Sequence, residues 1–240
     1  MEQATRGQAS NQAWMEARKG CITASIIGQI YSMRAKTDPH RLVGEINQQT
    51  NKNLSHVPAI AHGIKFEDAA KQYYELRFGV NIEARGFMLH PVYPWLGAST
   101  DGYIAQSHSA VEIKCPMPVD GIKQLIQLCN VRKSWFLVND EGKLRLNVKH
   151  KYYFQCQLPK ACLELKQCVF IAHLYEGDGT FLDFHSEVVL RDYNLISSLI
   201  DKLLHKKYLA EAVSPGSCYP PTNVCFLLLI GCVLVQLSSA

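Results

Sequence analysis

Apolar and polar positions alternate along this chain with two different periods, and the changes of period divide it into elements. From Ile60 to Phe78 apolar residues return at helical spacing (Ile64, Ala69, Tyr73 and Leu76 form the stripe). Gly79 ends the run, so a long helix is predicted there. Trp14 to Lys19 reads as a short helix stopped by Gly20, and Thr23 or Ser25 supplies an N-cap for a helix to about Met33. A further helix is predicted over residues 40–50, followed by a loop from Asn51 to Pro58. Strand-like runs cover 80–89, 95–104, 110–114, 168–175 and 181–187. Residues 118–130 and Lys151 to Leu165 carry helical patterns, and a last helix runs from Arg191 to about Ala212. Between them, 133–138 and 143–148 are predicted to pair as a small hairpin about Asp140-Glu141-Gly142. Helices thus enclose a small mixed β-sheet, an α/β or α+β arrangement rather than a helical bundle.

A chain of 240 residues, 48% of them hydrophobic, can bury a full core of its own. The breaker-rich stretch from Ser214 to Pro221 marks a boundary, which makes residues 1–213 one domain and 214–240 a linker and apolar tail of unassigned role. Val224 to Val235 is unbroken and apolar, yet shorter than the roughly 18 to 20 residues a membrane-spanning helix needs, so no membrane partner is expected. The nine cysteines include no C-x-x-C pair, and the six-residue spacing of Cys156, Cys162 and Cys168 matches no zinc site. Residues 1–20 lack the apolar core of a secretory leader, which predicts an intracellular protein with reduced, mostly buried thiols.

Net charge is only +4, but it is uneven: eight lysines and arginines stand against three acids between Arg132 and Lys166, and Lys202, His205, Lys206 and Lys207 form a second cluster. Taken alone, such runs describe a solvated helix face; beside a cation site they describe a track for a phosphate backbone. A cation site is what residues 96–116 predict. Asp101 closes one strand-like run, Glu112 and Lys114 lie on the next, and alternation puts Glu112 and Lys114 on one face with Ile113 on the other. A hairpin of this size brings Asp101 beside Glu112. Two carboxylates and an ammonium then converge at a sheet edge, where a hard divalent cation can be held and the lysine can handle a water or phosphate. Cys115 next to Lys114 is not read as a nucleophile, because no histidine follows at a fitting position. Glu67, early on the long helix, is by itself an ordinary complement to the helix dipole. Gln155 and Gln157 are two apart on a predicted helix, so at most one can face a site.

Five segments occur together in one order: Arg18-Lys-Gly-Cys-Ile-Thr-Ala-Ser25, Gly63-x3-Glu67, Gly97-Ala-Ser-Thr-Asp101-Gly, Glu112-Ile-Lys114-Cys-Pro and Tyr152-x2-Gln155-x-Gln157. Together they resemble the YqaJ-type viral recombinase and lambda-exonuclease family of the PD-(D/E)XK nuclease superfamily, over about residues 14 to 210. The resemblance implies a restriction-endonuclease-like core and a metal-dependent deoxyribonuclease that digests duplex DNA from an end, a 5′ exonuclease of recombination or repair. It implies Mg²⁺, or Mn²⁺ in its place, held by Asp101, Glu112 and the Ile113 carbonyl, with Glu67 reaching the cation directly or through water. Lys114 would orient or deprotonate the attacking water, Gln155 would position the water or Lys114, and Arg18 and Ser25 would hold a phosphate at the DNA end.

Family members also act with a single-strand annealing protein and form homo-oligomers, and the implied location is nuclear in a eukaryote and cytoplasmic otherwise. One residue departs from the family pattern: Thr100 stands before the motif aspartate where proline is common, which puts the stiffness of that turn in question. Two alternatives remain at this point, a catalytically silent DNA-binding module on the same fold and a restriction-type endonuclease.

Overall fold

The computed structural model describes residues 1–32, 56–132 and 135–205. The predicted helix over 40–50, most of the loop after it and the tail from 214 lie outside the described residues. The chain opens with helix α1 (Gln12–Ala17), strand β1 (Ile22–Thr23) and helix α2 (Ala24–Ser32). Asn11 caps α1 by accepting a hydrogen bond from the Ala13 amide at 2.8 Å. Helix α3 (Pro58–Phe78) starts on a proline, whose missing N–H costs nothing there, and closes on Gly79 in the left-handed region. Its buried residues are Phe66 and Ala70, whereas Ile64 and Leu76 are 65% and 87% exposed. Of the predicted apolar stripe only Tyr73 packs, against His173, Phe181 and Phe184, while Ile64, Ala69 and Leu76 are turned outward.

The strand-like run at 95–104 is two strands in two different sheets. Strands β2 (Met88–Leu89) and β3 (Leu96–Ala98) join β1 in a small sheet of order β1-β3-β2. After Ser99-Thr100-Asp101 the chain enters the main sheet as β4 (Gly102–Ile104), which turns back into β5 (Ser109–Lys114). Helix α4 (Leu125–Val131) is shorter than the predicted 118–130 because Pro116, Pro118 and Gly121 break the stretch before it. The hairpin of β6 (Leu137–Asp140) and β7 (Lys143–Leu146) turns through Glu141 and Gly142, both at positive φ as a two-residue loop requires. Helix α5 (Lys151–Cys162), strands β8 (Gln167–Tyr175) and β9 (Phe181–Leu190), and helix α6 (Tyr193–His205) complete the described chain.

The main sheet has the order β4-β5-β8-β9, with β5 and β8 parallel and the outer pairs antiparallel. Strand β8 is a nearly continuous apolar run because both of its faces are covered. One face, carrying Ala110, Phe170 and Leu174, packs toward α5 with Phe136; the other, with Val111, Ile113, Val169 and Ile171, packs under Phe66 and Ala70 of α3. A third cluster joins α2, α5 and α6 to β1 and β3. The result is a mixed sheet between helical layers, the restriction-endonuclease-like arrangement expected from the motifs. Among the described residues, no helix is long and apolar enough to cross a membrane.

Candidate metal and nucleic-acid site

The β4–β5 hairpin assembles the center of the site by register alone. Gly102 pairs with Val111, which sets Asp101 opposite Glu112. The Asp101 amide donates to the Val111 carbonyl at 3.0 Å, and Asp101 Oδ2 accepts from the Ile113 amide at 2.7 Å. Lys114 Nζ lies 2.5 Å from Glu112 Oε1, 3.0 Å from the Ile113 carbonyl oxygen and 3.9 Å from Asp101 Oδ2. Close packing holds this loop in place. A Cβ on Gly97 would come within 2.1 Å of Phe87, and one on Gly102 within 2.1 Å of Ile82, so neither position admits a side chain. Where proline would stiffen the turn, Gln8 does it instead: its Nε2 donates to the Thr100 carbonyl at 2.7 Å, and Thr100 is buried.

Glu67, on α3, is near enough for its charge and those of Asp101 and Glu112 to act on one another. Burial first, and then the charge of Asp101, push both Glu67 and Glu112 up to about 7. Burial alone would drive Lys114 toward its neutral form, but Glu112 and Asp101 outweigh it and hold the ammonium protonated. The oxygens thus converge on a cation, and that cation is the protein's own lysine. A set made of two carboxylates and a carbonyl, already gathered around a positive charge, fits a hard divalent ion. Glu67 is not part of that cluster: among the described residues, no three His, Cys, Asp or Glu side chains are gathered closely enough to hold a metal. It is the tenth residue of α3, counted from Pro58, which removes helix-dipole complementation as a reason for an acid there.

Of the two glutamines, Gln157 is committed to the fold: its amide spans the β9–α6 junction, donating to the Leu190 carbonyl and accepting from the Asp192 amide. Gln155 is left over: its Oε1 is buried with no hydrogen-bond partner among the described residues, Lys114 included. The Cys115 thiol is pushed to about 12 by burial and the nearby carboxylates, which leaves no thiolate for nucleophilic work at neutral pH. All six described cysteines are free.

Arg18 and Ser25 come together as expected, with Thr23 between them. Arg18 Nη2 lies 3.4 Å from Thr23 Oγ1, which shares a 2.9 Å hydrogen bond with Ser25 Oγ on the first turn of α2. The guanidinium lies over the Trp14 ring at 4.1 Å, and burial lowers Arg18 to about 10. Among the described residues it pairs with no carboxylate. A half-buried guanidinium with no carboxylate beside it among the described residues leaves its donors available to an anion. Trp14 also ties this corner to the acidic one, donating from Nε1 to Ser99 Oγ at 2.7 Å. Sequence reasoning missed Trp14 and Gln8; the i, i+4 spacing of Trp14 and Arg18 on one helix was the available signal.

A cleft of about 490 Å³ opens beside the Ile113–Lys114 end of the hairpin, and Asp101, Glu112, Arg18 and Ser25 are not among its lining residues. Glu67 and Lys114 border it, Ile60 and Ile64 of α3 form an apolar wall, and Lys151 and Tyr152 at the start of α5 face them. Arg132 also lines it, so Arg132 and Lys151 are the described members of the basic run that flank the cleft; Lys143, Arg145 and Lys149 are exposed but do not line it. Nor does Lys160. It is fully buried, donates to the Val189 and Leu190 carbonyls at 2.9 and 2.8 Å, and is lowered to about 8 by that burial. From the second cluster, Lys202 donates to the Tyr31 carbonyl, while Lys206 and Lys207 lie outside the described residues.

The model of the YqaJ-like viral recombinase domain matches residues 13–165, and the chain belongs to that family. Solved structures share the fold. An alkaline exonuclease (LHK-Exo) from Laribacter hongkongensis superposes with a TM-score of 0.60 at 21% identity, covering 84% of this chain and 93% of that one. A phage-related exonuclease from Haemophilus somnus 129PT gives 0.55 at 11% identity, over 81% and 95%. The Shutoff and Exonuclease Protein from Kaposi's sarcoma-associated herpesvirus gives 0.53 at 13%, over 88% and 72%. No curated protein matches this chain.

Proposed function

We propose that this protein is a divalent-cation-dependent deoxyribonuclease that hydrolyses duplex DNA from an end. One observation carries the reading: Asp101, Glu112 and the Ile113 carbonyl converge on a cation at the edge of a cleft, with a lysine in their midst. Phosphodiester hydrolysis builds negative charge on the non-bridging oxygens and on the departing 3′ oxygen. Magnesium, held by Asp101, Glu112, the Ile113 carbonyl and, directly or through water, Glu67, would offset that charge and acidify water. The rest falls to the chain's own groups. Lys114, set free from Glu112, would orient the water and stabilise the phosphate as an ammonium, and it could take up the water's proton only after first giving up its own. Gln155 presents its unpartnered oxygen to the water or to Lys114. Arg18 and Ser25 hold the terminal phosphate, and Arg132 and Lys151 contact the backbone on its way into the cleft.

The family supports this reading, and the relatives of the same fold include an alkaline exonuclease and a herpesvirus protein solved with DNA. The test compares linear with covalently closed circular duplex, each with Mg²⁺ and with EDTA. Digestion of the linear form alone, and only with Mg²⁺, is the expected result. Cutting of the circle would make the enzyme an endonuclease, and indifference to EDTA would remove the cation from the chemistry.

A further inference from the structure

Lys114 makes four close approaches, and three of them are to the oxygens that would hold a cation. The fourth is to Tyr152, whose ring center lies 4.9 Å from Nζ. If the amine is to address a water or a phosphate, it must be held somewhere other than against Glu112 and Asp101. Tyr152 is the contact outside the oxygen set. We infer that Tyr152 is a positioning residue, whose ring face holds the Lys114 ammonium at the wall of the cleft; this rests on the nuclease reading above.

The ring is built to be a fixed seat. It packs against Phe136 at 5.3 Å and meets His150 edge-on at 4.5 Å. His150 caps α5 by accepting from the Tyr152 amide at 3.2 Å, so the backbone beneath the ring is pinned as well. The phenol oxygen makes no hydrogen bond among the described residues, so the observed contact with Lys114 is through the ring face, and the Phe variant separates the ring from the hydroxyl. A second ammonium, that of Lys151, lies 5.5 Å from the same ring, but Lys151 is exposed and its charge is screened by water. The Lys114 side chain is only 20% exposed, and attraction between an ammonium and a ring face grows with such shielding from water. A long flexible stem also loses rotamer freedom when held, and a preformed contact reduces what must be frozen at the moment of reaction.

The test measures steady-state cleavage by wild type, Tyr152→Phe, Tyr152→Leu, and position 152 carrying phenylalanine with one, two and three ring fluorines. Fluorination withdraws charge from the ring face while nearly keeping its shape. Tyr152→Phe is expected within about twofold of wild type, and Tyr152→Leu about 5- to 30-fold lower in kcat with KM nearly unchanged. Each added fluorine should lower kcat by a further step. A second readout needs neither metal nor DNA: the Lys114 ε-methylene should show an upfield ring-current shift by NMR that Tyr152→Leu abolishes, assigned by its loss in Lys114→Met.

A flat fluorine series overturns the inference, and so does an absent ring-current shift. KM rising at constant kcat also overturns it, since the ring would then be stacking on substrate. If Tyr152→Leu fails to fold, the isosteric series still decides. An inactive wild type would sink the nuclease reading and this role together, whereas an active wild type with a flat series sinks this role alone.

Discussion

Replacing Glu67 by glutamine should stabilise the metal-free protein, the opposite of what deleting a half-buried charge usually does. The carboxyl goes from 4.5 to about 7 on folding, through burial and then the charge of Asp101. A displacement of that size costs on the order of 3 kcal/mol once the group is ionised. Glu67 is partly reached by solvent, so about 1 to 3 kcal/mol is the usable range. For a chain of this size that corresponds to about 2 to 12 °C in Tm. The sign follows from proton counting. Between about pH 4.5 and 7 the folded protein binds more protons at this position than the unfolded chain, so rising pH destabilises the wild type across that window. Glu67→Gln removes this dependence. Its gain should be absent at pH 4.5, grow through pH 7 and stay level above. Glu67 also raises Glu112, so part of the gain is relief at the second acid. The assay is thermal unfolding in EDTA at pH 5 and pH 8, then at pH 8 with a titration of Mg²⁺. Wild type should gain Tm with Mg²⁺ by mass action, about 2.7 kcal/mol at a hundredfold excess over Kd, and the variant much less. A variant less stable than wild type at pH 8 in EDTA, or a gain equal at both pH values, would refute the reasoning.

Asp101→Asn and Glu112→Gln should each lower Mg²⁺-dependent cleavage by several orders of magnitude while DNA binding, read by a gel-shift titration, survives; near-full activity in either would remove that residue from the metal site. Arg18→Ala should slow digestion of 5′-phosphorylated linear duplex by about 10- to 150-fold, and of the 5′-hydroxyl substrate much less, because one charge-assisted anchor is lost. An equal loss on both substrates would assign Arg18 to the scissile phosphate or to the fold. Truncation after Ala212 should leave the nuclease rate intact, since the motif residues all precede it; an insoluble product would make the tail part of the core.

The hairpin that carries Asp101, Glu112 and Lys114 was legible because everything that sets it is local: period-two alternation, a short polar turn and two flanking glycines. Longer-range choices were not. The run at 95–104 reads as one strand, and nothing in its alternation marks the switch at Ser99–Asp101 from one sheet to another. The run at 80–89 pairs only at its end and at Glu83, although Ile82 and Phe87 are deeply buried, because apolar residues fill a core without joining a ladder. On α3, periodicity picked out Ile64, which borders the cleft, as a core residue. A wall that meets substrate and a face that meets core have the same composition, and only the third dimension separates them. Lys160 was misread for a related reason: a count of charges is blind to an ammonium satisfied by two carbonyls.

The spacing Glu-x-Lys acquires a physical reason from this geometry. Carboxylates set close enough to share a divalent ion repel one another when it is missing, and a chain must fold before it can bind the ion. Lys114, two residues beyond Glu112 on the same strand face, supplies the counter-charge from within the same element, so the acids can assemble with no ion present. Burial and the charge of Asp101 raise Glu67 and Glu112 alike to about 7, so below neutrality both acids lean toward the protonated form beside the Lys114 ammonium. Raising the pH through 7 ionises them as a coupled pair. Affinity for a divalent ion should therefore climb through neutrality, set by the pair rather than by either acid alone.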